Sequence, residues 1–202
     1  MAGFENERQL NRSFGEQYLH VLSPVMLEIE AESNDTDYGA VSWSTREEVD
    51  EMTAHLDLRS GRRLLDIGAG AGWPGLHIGL MSGSDVTLLD FPINGLKLGL
   101  ERAVKDGVNA VATVADGVRL PFGSATFDGV IHSDVLCCLS HKREVLGECR
   151  RVVRPGGRMA FTVLEVTPGL PPLDHSRGVE GGPEYVESDD PYTDLLTETG
   201  WS

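Results

Sequence analysis

The sequence has little of what marks secreted, membrane-spanning or nucleic-acid-binding proteins. Among its 202 residues are only three cysteines, Cys137, Cys138 and Cys149, and an odd number without framework spacing indicates a reducing compartment. No apolar run approaches the length of a bilayer span, and the first residues, MAGFENERQL, are too polar for a secretory leader. Lys and Arg number 17 against 32 Asp and Glu, a net charge of −15. We therefore expect a cytoplasmic protein with neither a nucleic-acid nor a membrane partner.

The amino-terminal third is predicted to be helical. Apolar residues recur at helical spacing over residues 4–31, and Pro24 is expected to divide this stretch into two helices. An acidic loop follows over residues 31–43. The next helix is expected to begin near Ser44, because "STREE" offers two capping boxes, Ser44 with Glu47 and Thr45 with Glu48.

From residue 61 onward, apolar strands alternate with helices. Strands are predicted at Arg63–Ile67, Val86–Leu89, Ala110–Val114, Phe127–His132 and Arg158–Leu164, and helices at Pro74–Met81, 93–106 and Lys142–Val153. This alternation predicts an α/β fold with a doubly wound, mostly parallel, Rossmann-like sheet. We expect a single domain over 1–202, with a helical cap (1–60), a cofactor-binding core (61–165), and a lid loop and final helix (166–202).

The carboxyl-terminal part is predicted to be mostly irregular. Residues 167–191 are rich in Pro, Gly, Asp and Glu, which predicts a long surface loop or lid. A short helix is predicted over Tyr192–Thr199, with Gly200 as its C-cap.

The stretch "RRLLDIGAGAGWPGLHIGLM" places three glycines, Gly68, Gly70 and Gly72, directly after the first strand. The dinucleotide fingerprint G-x-G-x-x-G fails here because Trp73 stands where it requires its third glycine. A phosphate-binding Walker loop fails as well, since no Gly-Lys-Ser/Thr follows. The loop is therefore expected to approach a ligand other than a nucleotide phosphate.

Five ordered motifs between residues 63 and 164 carry a resemblance to a known family. They are Asp66-x-Gly68-x-Gly70-x-Gly72, "VTLLD" ending in Asp90, "VADGVRLPF" with Asp116, "FDGVIHSDVLCCL", and "LGECRRVVRPGGRMAFTV". Together they resemble the class I S-adenosylmethionine-dependent methyltransferases, in particular the type 11 subgroup that acts on small molecules. The resemblance implies S-adenosylmethionine as cofactor and methyl transfer as the reaction.

Adenosylmethionine carries a sulfonium and an ammonium but no phosphate, so its site needs bare backbone and carboxylates. The expected cofactor contacts come from the glycine loop and from the ends of the next strands: Asp66, Gly68, Ala69, Gly70, Gly72, Asp90, Phe91, Asp116, Gly117 and Ser133. Asp66 is expected to reach the ammonium, directly or through water, and Asp90 to accept both ribose hydroxyls. Asp116, with the Gly117 amide, is expected to bind the adenine edge and Phe91 to pack on its face. The resemblance places His132 and Ser133 beside the methionine end.

Several of these residues also have a purely structural interpretation. Asp90 suits a helix N-cap, Asp116-Gly117 suits a turn, and His132, the weak candidate for a base, suits a buried structural role. Tyr38 and Trp43 could wall a substrate pocket or equally pack beneath the amino-terminal helices. A metal site from His132, Cys137, Cys138 and His141 is not expected, because adjacent cysteines cannot easily face one tetrahedral ion.

The acceptor is expected to be a small molecule methylated on carbon or oxygen. The fourth strand runs into Ile131-His132-Ser133-Asp134 and not into the Pro-Pro-aromatic motif of amino-group methylases. The amino-terminal helices and the 167–191 loop are expected to close over the acceptor. Two alternatives stay open: an NAD(P)-dependent Rossmann oxidoreductase, and a non-catalytic adenosylmethionine-binding interaction protein.

One departure from the family pattern concerns the last strand. In the family an antiparallel hairpin completes the sheet beyond the fifth strand, and here only a helix and "GWS" follow. The apolar "RMAFTV" would then be an exposed edge, which is an aggregation hazard. We predict that the chain is a fragment of a longer protein, or that a partner, such as a second copy in a homodimer, covers this edge.

Overall fold

The computed structural model describes residues 12–36 and 38–202. A helical segment over 12–17 and a turn precede α1 (Pro24–Asn34), so the predicted break at Pro24 is confirmed. Residues 4–11 of the predicted first helix lie outside the described residues. Helix α2 (Arg46–Leu56) begins with the second of the two predicted capping boxes, since the Thr45 amide donates to the Glu48 carboxylate at 2.8 Å.

The core is a five-stranded sheet in the order β3-β2-β1-β4-β5, with every neighbouring pair parallel. The predicted doubly wound α/β fold is confirmed. Its elements are β1 (Arg63–Ile67), α3 (Gly75–Ser82), β2 (Asp85–Asp90), α4 (Ile93–Asp106), β3 (Ala110–Val114), β4 (Phe127–Ser133), α5 (Lys142–Val152) and β5 (Val153–Thr162).

Each face of the sheet has its own apolar core. Successive residues of a strand point to opposite faces, so Leu64 packs with α2 and α3 on one side and Leu65 with α5 on the other. Both side chains are fully buried. This two-sided burial explains why the central strands read as continuous apolar runs in the sequence.

Two predicted boundaries were wrong. Strand β5 begins at Val153 and not at Arg158, because the "RPGG" turn stays within the strand as an irregularity: Phe127 pairs with Val153, but Gly129 pairs with Arg158. The 167–191 segment is not all loop, since it contains helix α6 (Pro172–Gly181). This helix starts on a proline, has an acidic first turn and buries none of its residues, so apolar periodicity could not reveal it.

Strand β5 is the edge of the sheet, as predicted. It pairs with β4 and with no other strand of the described chain. A groove runs beside it, bounded by Glu48 and Glu51 of α2 and by Trp201 after the last helix, α7 (Tyr192–Glu198). Within the described residues, none of the helices combines the length and the apolar content that crossing a bilayer requires.

Candidate functional site

A cavity of about 430 Å³ opens at the carboxyl ends of β1, β2 and β4. This is the point where the chain switches from building one half of the sheet to building the other, the usual ligand position in doubly wound folds. Its walls comprise residues from both ends of the chain: Phe14, Tyr18, Val41, Trp43, Ile67, Gly68, Leu89, Asp90, Phe91, Ala115, Asp116, Gly117, Ser133, Asp134, Val135, Cys138, Leu139, Leu164 and Pro183.

The glycine loop forms the floor of the cavity through its backbone. Gly68, Gly70 and Gly72 all have positive φ angles, a conformation that glycine adopts without strain. A Cβ on Gly68 would collide with Val135, and one on Gly70 would collide with the hydroxyl of Tyr18. Gly68 lines the cavity directly, whereas Ala69, Gly70 and Gly72 shape the loop behind it.

Asp90 stands at the end of β2 with its carboxylate on the cavity wall. Its Oδ2 accepts from the Gly70 amide and its Oδ1 from the Phe91 amide, both at 2.7 Å. Burial raises the pKa of Asp90 to about 6, although these two hydrogen bonds oppose the shift. Each oxygen retains a further lone pair that a ligand hydroxyl can use.

Asp66 is placed differently from the prediction. It is buried beneath the loop and does not line the cavity. Its Oδ2 accepts from the Gly75 amide at 3.1 Å, and its Oδ1 has no hydrogen-bond partner among the residues that the structure describes. Burial raises the pKa of Asp66 well above its usual range. The carboxyl therefore ties the end of β1 to the first turn of α3.

The remaining predicted cofactor residues lie around the wall of the cavity. Asp116, Gly117, Phe91 and Ser133 all line it. Asp116 makes the turn that its sequence allowed, since its Oδ1 accepts from the Val118 amide at 3.0 Å, and this leaves the other oxygen available to a ligand.

A hydrogen-bonded cluster of short polar side chains organises the opposite side. Asp134, a non-glycine residue with a φ of 57°, accepts at Oδ2 from the Trp43 amide at 2.9 Å and from Ser42 Oγ at 3.2 Å. Thr162 Oγ1 donates to its Oδ1 at 3.2 Å. The hydroxyls of Ser42 and Ser133 lie 3.0 Å apart. The loop before α2 is thereby fastened to the ends of β4 and β5.

His132 and Tyr38 do not line the cavity, so for both residues the structural interpretation that the sequence left open describes their position. His132 is fully buried and stacks on Phe161 at 4.7 Å between ring centroids, and within the described part of the chain neither of its ring nitrogens has a hydrogen-bond partner. Burial lowers the pKa of His132 to about 3, so the imidazole is neutral at physiological pH. Tyr38 packs on Trp73 with the Arg102 guanidinium over its ring. Of the two proposed wall residues, only Trp43 lines the cavity.

Several residues of the cavity wall were not predicted from the sequence. Phe14 and Tyr18 lie four residues apart on a helical stripe, a spacing that core-facing residues share. Pro183 comes from the 167–191 segment, and Cys138 from a short 3₁₀ helix, Leu136–Cys138. No local motif marks these positions.

The three thiols are free, and Cys137 and Cys149 are buried. The Cys137 Sγ donates to the Asp134 carbonyl oxygen at 3.1 Å. Among residues 12–36 and 38–202, no three His, Cys, Asp or Glu side chains gather into a set that could hold a metal ion.

The fold and the site together define a class: a doubly wound nucleoside-binding protein whose ligand carries no phosphate. Asp90, Asp116 and Asp134 line the cavity, and its described lining includes no Lys, Arg or His. These walls suit the sulfonium and ammonium of S-adenosylmethionine and repel a pyrophosphate. The glycine loop and the strand-end carboxylates fit the adenosyl part, so the residues present fit this cofactor.

The comparison with known families agrees with this class. Residues 65–161 match the model of the family described as a methyltransferase domain, type 11. This part of the chain is therefore similar to methyltransferase domains, as the sequence motifs indicated.

Individual relatives are also methyltransferases. The chain is similar to 27-O-demethylrifamycin SV methyltransferase from Amycolatopsis mediterranei, with 31% identity over 172 residues, covering 82% of this chain and 63% of that protein. It is 32% identical over 123 residues to the ubiquinone/menaquinone biosynthesis C-methyltransferase of Cupriavidus metallidurans, covering 60% and 50% of the two chains. The chain thus spans between half and two thirds of the length of these relatives.

The fold has solved counterparts. Phosphoethanolamine N-methyltransferase 2 from Haemonchus contortus, in complex with S-adenosylmethionine, superposes with a TM-score of 0.73 at 20% identity. The match covers 87% of this chain and 41% of that one. At this identity the likeness concerns the fold alone.

Proposed function

We propose that the chain binds S-adenosylmethionine in the cavity at the end of β1 and transfers its methyl group to a small-molecule acceptor, on carbon or oxygen. The observation that carries the proposal is the composition of this cavity: a bare glycine floor, three carboxylates, and no cationic side chain in its described lining. The relatives give further support, since one is named for O-methylation and another for C-methylation.

We propose the following roles for the residues at the cofactor end of the site. Asp90 accepts the two ribose hydroxyls, Asp116 and the Gly117 amide hold the adenine edge, and Phe91 covers the adenine face. Gly68 allows the loop backbone to approach the ligand. Asp66 acts indirectly, because its carboxyl group accepts a hydrogen bond from the Gly75 amide and so fixes the first turn of α3.

Bound cofactor supplies a methyl group already activated by the positive sulfur. The protein must align the acceptor with that group and keep water out. Leu139, Leu164 and Pro183 supply apolar wall at the open side. His132 is sealed in the core and cannot take a proton from the acceptor.

The oxidoreductase alternative is disfavoured by charge. A dinucleotide would bring its pyrophosphate towards Asp90, Asp116 and Asp134 without a compensating cation in the described lining. A non-catalytic binding protein would share the cofactor site, and only turnover with an acceptor separates it from an enzyme.

We also propose that the protein works in the cytoplasm as one domain, with residues 1–60 as cap, 61–165 as cofactor core and 166–202 as lid and final helix. Its free cysteines and the net charge of −15 support a reducing compartment and the absence of a nucleic-acid partner. A homodimer through the β5 edge is the form of assembly that its unpaired strand supports.

The test is calorimetric titration with S-adenosylhomocysteine, comparing Asp90→Ala with Asp85→Ala. Both residues lie on β2, but Asp85 stands at the far, exposed end, where it accepts a hydrogen bond from the Asn109 side-chain amide at 2.8 Å. Loss of two charge-assisted hydrogen bonds should weaken binding by Asp90→Ala about 30-fold or more. Asp85→Ala should bind like the wild type.

Asp90→Asn serves as a second variant because it retains an acceptor for the Gly70 amide. This variant should unfold cooperatively on heating, as a folded protein does. It should still bind S-adenosylhomocysteine more weakly than the wild type. Equal affinities for wild type, Asp90→Ala and Asp90→Asn would refute the assignment.

A further inference from the structure

The side of the cavity away from Asp90 is aromatic and apolar. Val41, Trp43, Val135, Leu139, Leu164 and Pro183 line it, whereas Tyr18 lies against Gly70 beside Asp90. Its one carboxylate, Asp134, already receives four hydrogen bonds, from Ser42, Trp43, Ser133 and Thr162. A satisfied carboxylate has little capacity left to pair with a ligand, so apolar contact dominates recognition on this side.

Trp43 is held in an unusual way on this surface. Its side chain is 65% exposed, yet it lines the cavity. Its amide donates to Asp134, while the neighbouring Ser42 and Ser44 hydroxyls lie 3.0 and 2.5 Å from Ser133 Oγ. The backbone is thus fixed on both sides of a largely exposed indole. An exposed aromatic face on an anchored backbone suits a planar ligand.

The charges around the cavity select further. An anionic acceptor would face Asp90, Asp116 and Asp134 with no cation in the described lining. The nearby Lys142 is buried, and its ammonium is taken up by the carbonyl oxygens of Leu139 at 3.3 Å and Tyr185 at 2.8 Å. A cationic acceptor would be repelled by the sulfonium that must lie against it.

We propose that the acceptor is an uncharged, ring-bearing apolar molecule whose planar face packs on Trp43, and that Trp43 is a specificity-determining residue. This inference rests on the proposed function, because it assigns the other half of the same cavity. It distinguishes the site from one built for a phosphorylated or carboxylated acceptor.

The experiment uses the protein saturated with sinefungin, a cofactor analogue that cannot donate a methyl group and carries an ammonium in place of the sulfonium, and three probes of one shape. These are 2-naphthol (neutral), 2-naphthoate (anionic) and 2-naphthylmethylammonium (cationic), titrated at pH 7 by calorimetry. We expect 2-naphthol to bind at least about tenfold more tightly than either charged probe. Trp43→Ala should weaken 2-naphthol binding about tenfold or more, and Trp43→Phe should retain most of it.

Trp201→Phe is the matched control, since Trp201 lies beside the β5 groove and away from the cavity. It should leave 2-naphthol binding unchanged. Equal or tighter binding of a charged probe, undiminished binding by Trp43→Ala, or no binding of any probe below about 1 mM would each overturn the inference.

A titration with S-adenosylhomocysteine, made before the probes are tested, separates this inference from the proposed function. If S-adenosylhomocysteine fails to bind the wild type, the proposed function fails. If it binds equally well to the wild type and Trp43→Ala while the probes behave otherwise than expected, only the acceptor inference fails.

Discussion

The two ends of the cavity are built by different means. The cofactor end uses the chain just where strands end, at Gly68, Asp90 and Asp116, and presents mainly backbone and short side chains. The acceptor end gathers large side chains from distant segments, including Trp43, Leu139 and Leu164. The cofactor end therefore depends on local backbone geometry, whereas the acceptor end depends on side chains that can change without altering the sheet.

The two ends also differ in how their carboxylates are used. Asp90 accepts one amide hydrogen bond at each oxygen and has a pKa raised to about 6 by burial. Asp134 accepts four hydrogen bonds and fastens a loop. We interpret the first as a group reserved for a ligand and the second as an internal anchor.

The largest effect is expected from Gly75→Ala at the cofactor end. A Cβ at this position would collide with the Asp66 carboxyl, which is itself buried. We expect a loss of about 2–3 kcal/mol in the free energy of unfolding, together with weaker binding of S-adenosylhomocysteine.

Gly147→Ala is the control for this substitution. Gly147 also lies in a helix, α5, but a Cβ there meets nothing within 4 Å. It should be neutral or stabilising by about 0.5–1 kcal/mol in denaturant unfolding. Equal free energies of unfolding for Gly75→Ala and Gly147→Ala would show that the close packing of Gly75 on Asp66 does not contribute to stability.

A smaller effect is expected from Asp134→Ala at the acceptor end. The loop carrying Ser42 and Trp43 loses its anchor, so stability should fall by about 1–2 kcal/mol and proteolysis near Trp43 should accelerate. Asp134→Asn, which tolerates the positive φ and retains an acceptor, should lose less.

The same variant tests whether the two ends are independent. Asp134→Ala should change the affinity for S-adenosylhomocysteine by less than about threefold, as measured by calorimetry. A loss as large as that of Asp90→Ala would show that the ends are coupled and would contradict the comparison.

The smallest effect concerns pH. Because the pKa of Asp90 is raised to about 6, its carboxylate is charged at pH 7.5 and about 90% protonated at pH 5. A protonated carboxyl is a poorer acceptor for the ribose hydroxyls, so affinity for S-adenosylhomocysteine should fall up to about tenfold as the pH is lowered. In Asp90→Asn this dependence should vanish, and a wild-type profile that is flat from pH 7.5 to 5 would contradict the assignment.

Local patterns predicted most of the fold. The bounds of α4 (Ile93–Asp106) and β3 (Ala110–Val114) agree with the sequence, because caps and apolar periodicity act within a few residues. Helix α6 was missed because no apolar stripe accompanies it. Strand β5 continues through "RPGG" because it stays paired with β4 on both sides of that stretch. The composition of the segment alone does not reveal this pairing.

The residues of the site also fall into those that local sequence patterns predict and those that they do not. Asp90 and Asp116 were located because each follows a strand within one contiguous motif. Tyr18 could not be assigned, since its helix meets Gly70 only through tertiary packing. His132 was placed at the correct strand end but on the wrong face, because a shift of one residue along a strand reverses the side chain.

The central claim is that the cavity at the end of β1 is the adenosylmethionine site. A crystal structure of the protein grown with S-adenosylhomocysteine at pH 7.5 tests it most directly. The account predicts the ribose hydroxyls within hydrogen-bond distance of both Asp90 oxygens and the adenine between Phe91 and Asp116. Ligand density elsewhere on the molecule, or a ribose turned away from Asp90, would contradict it.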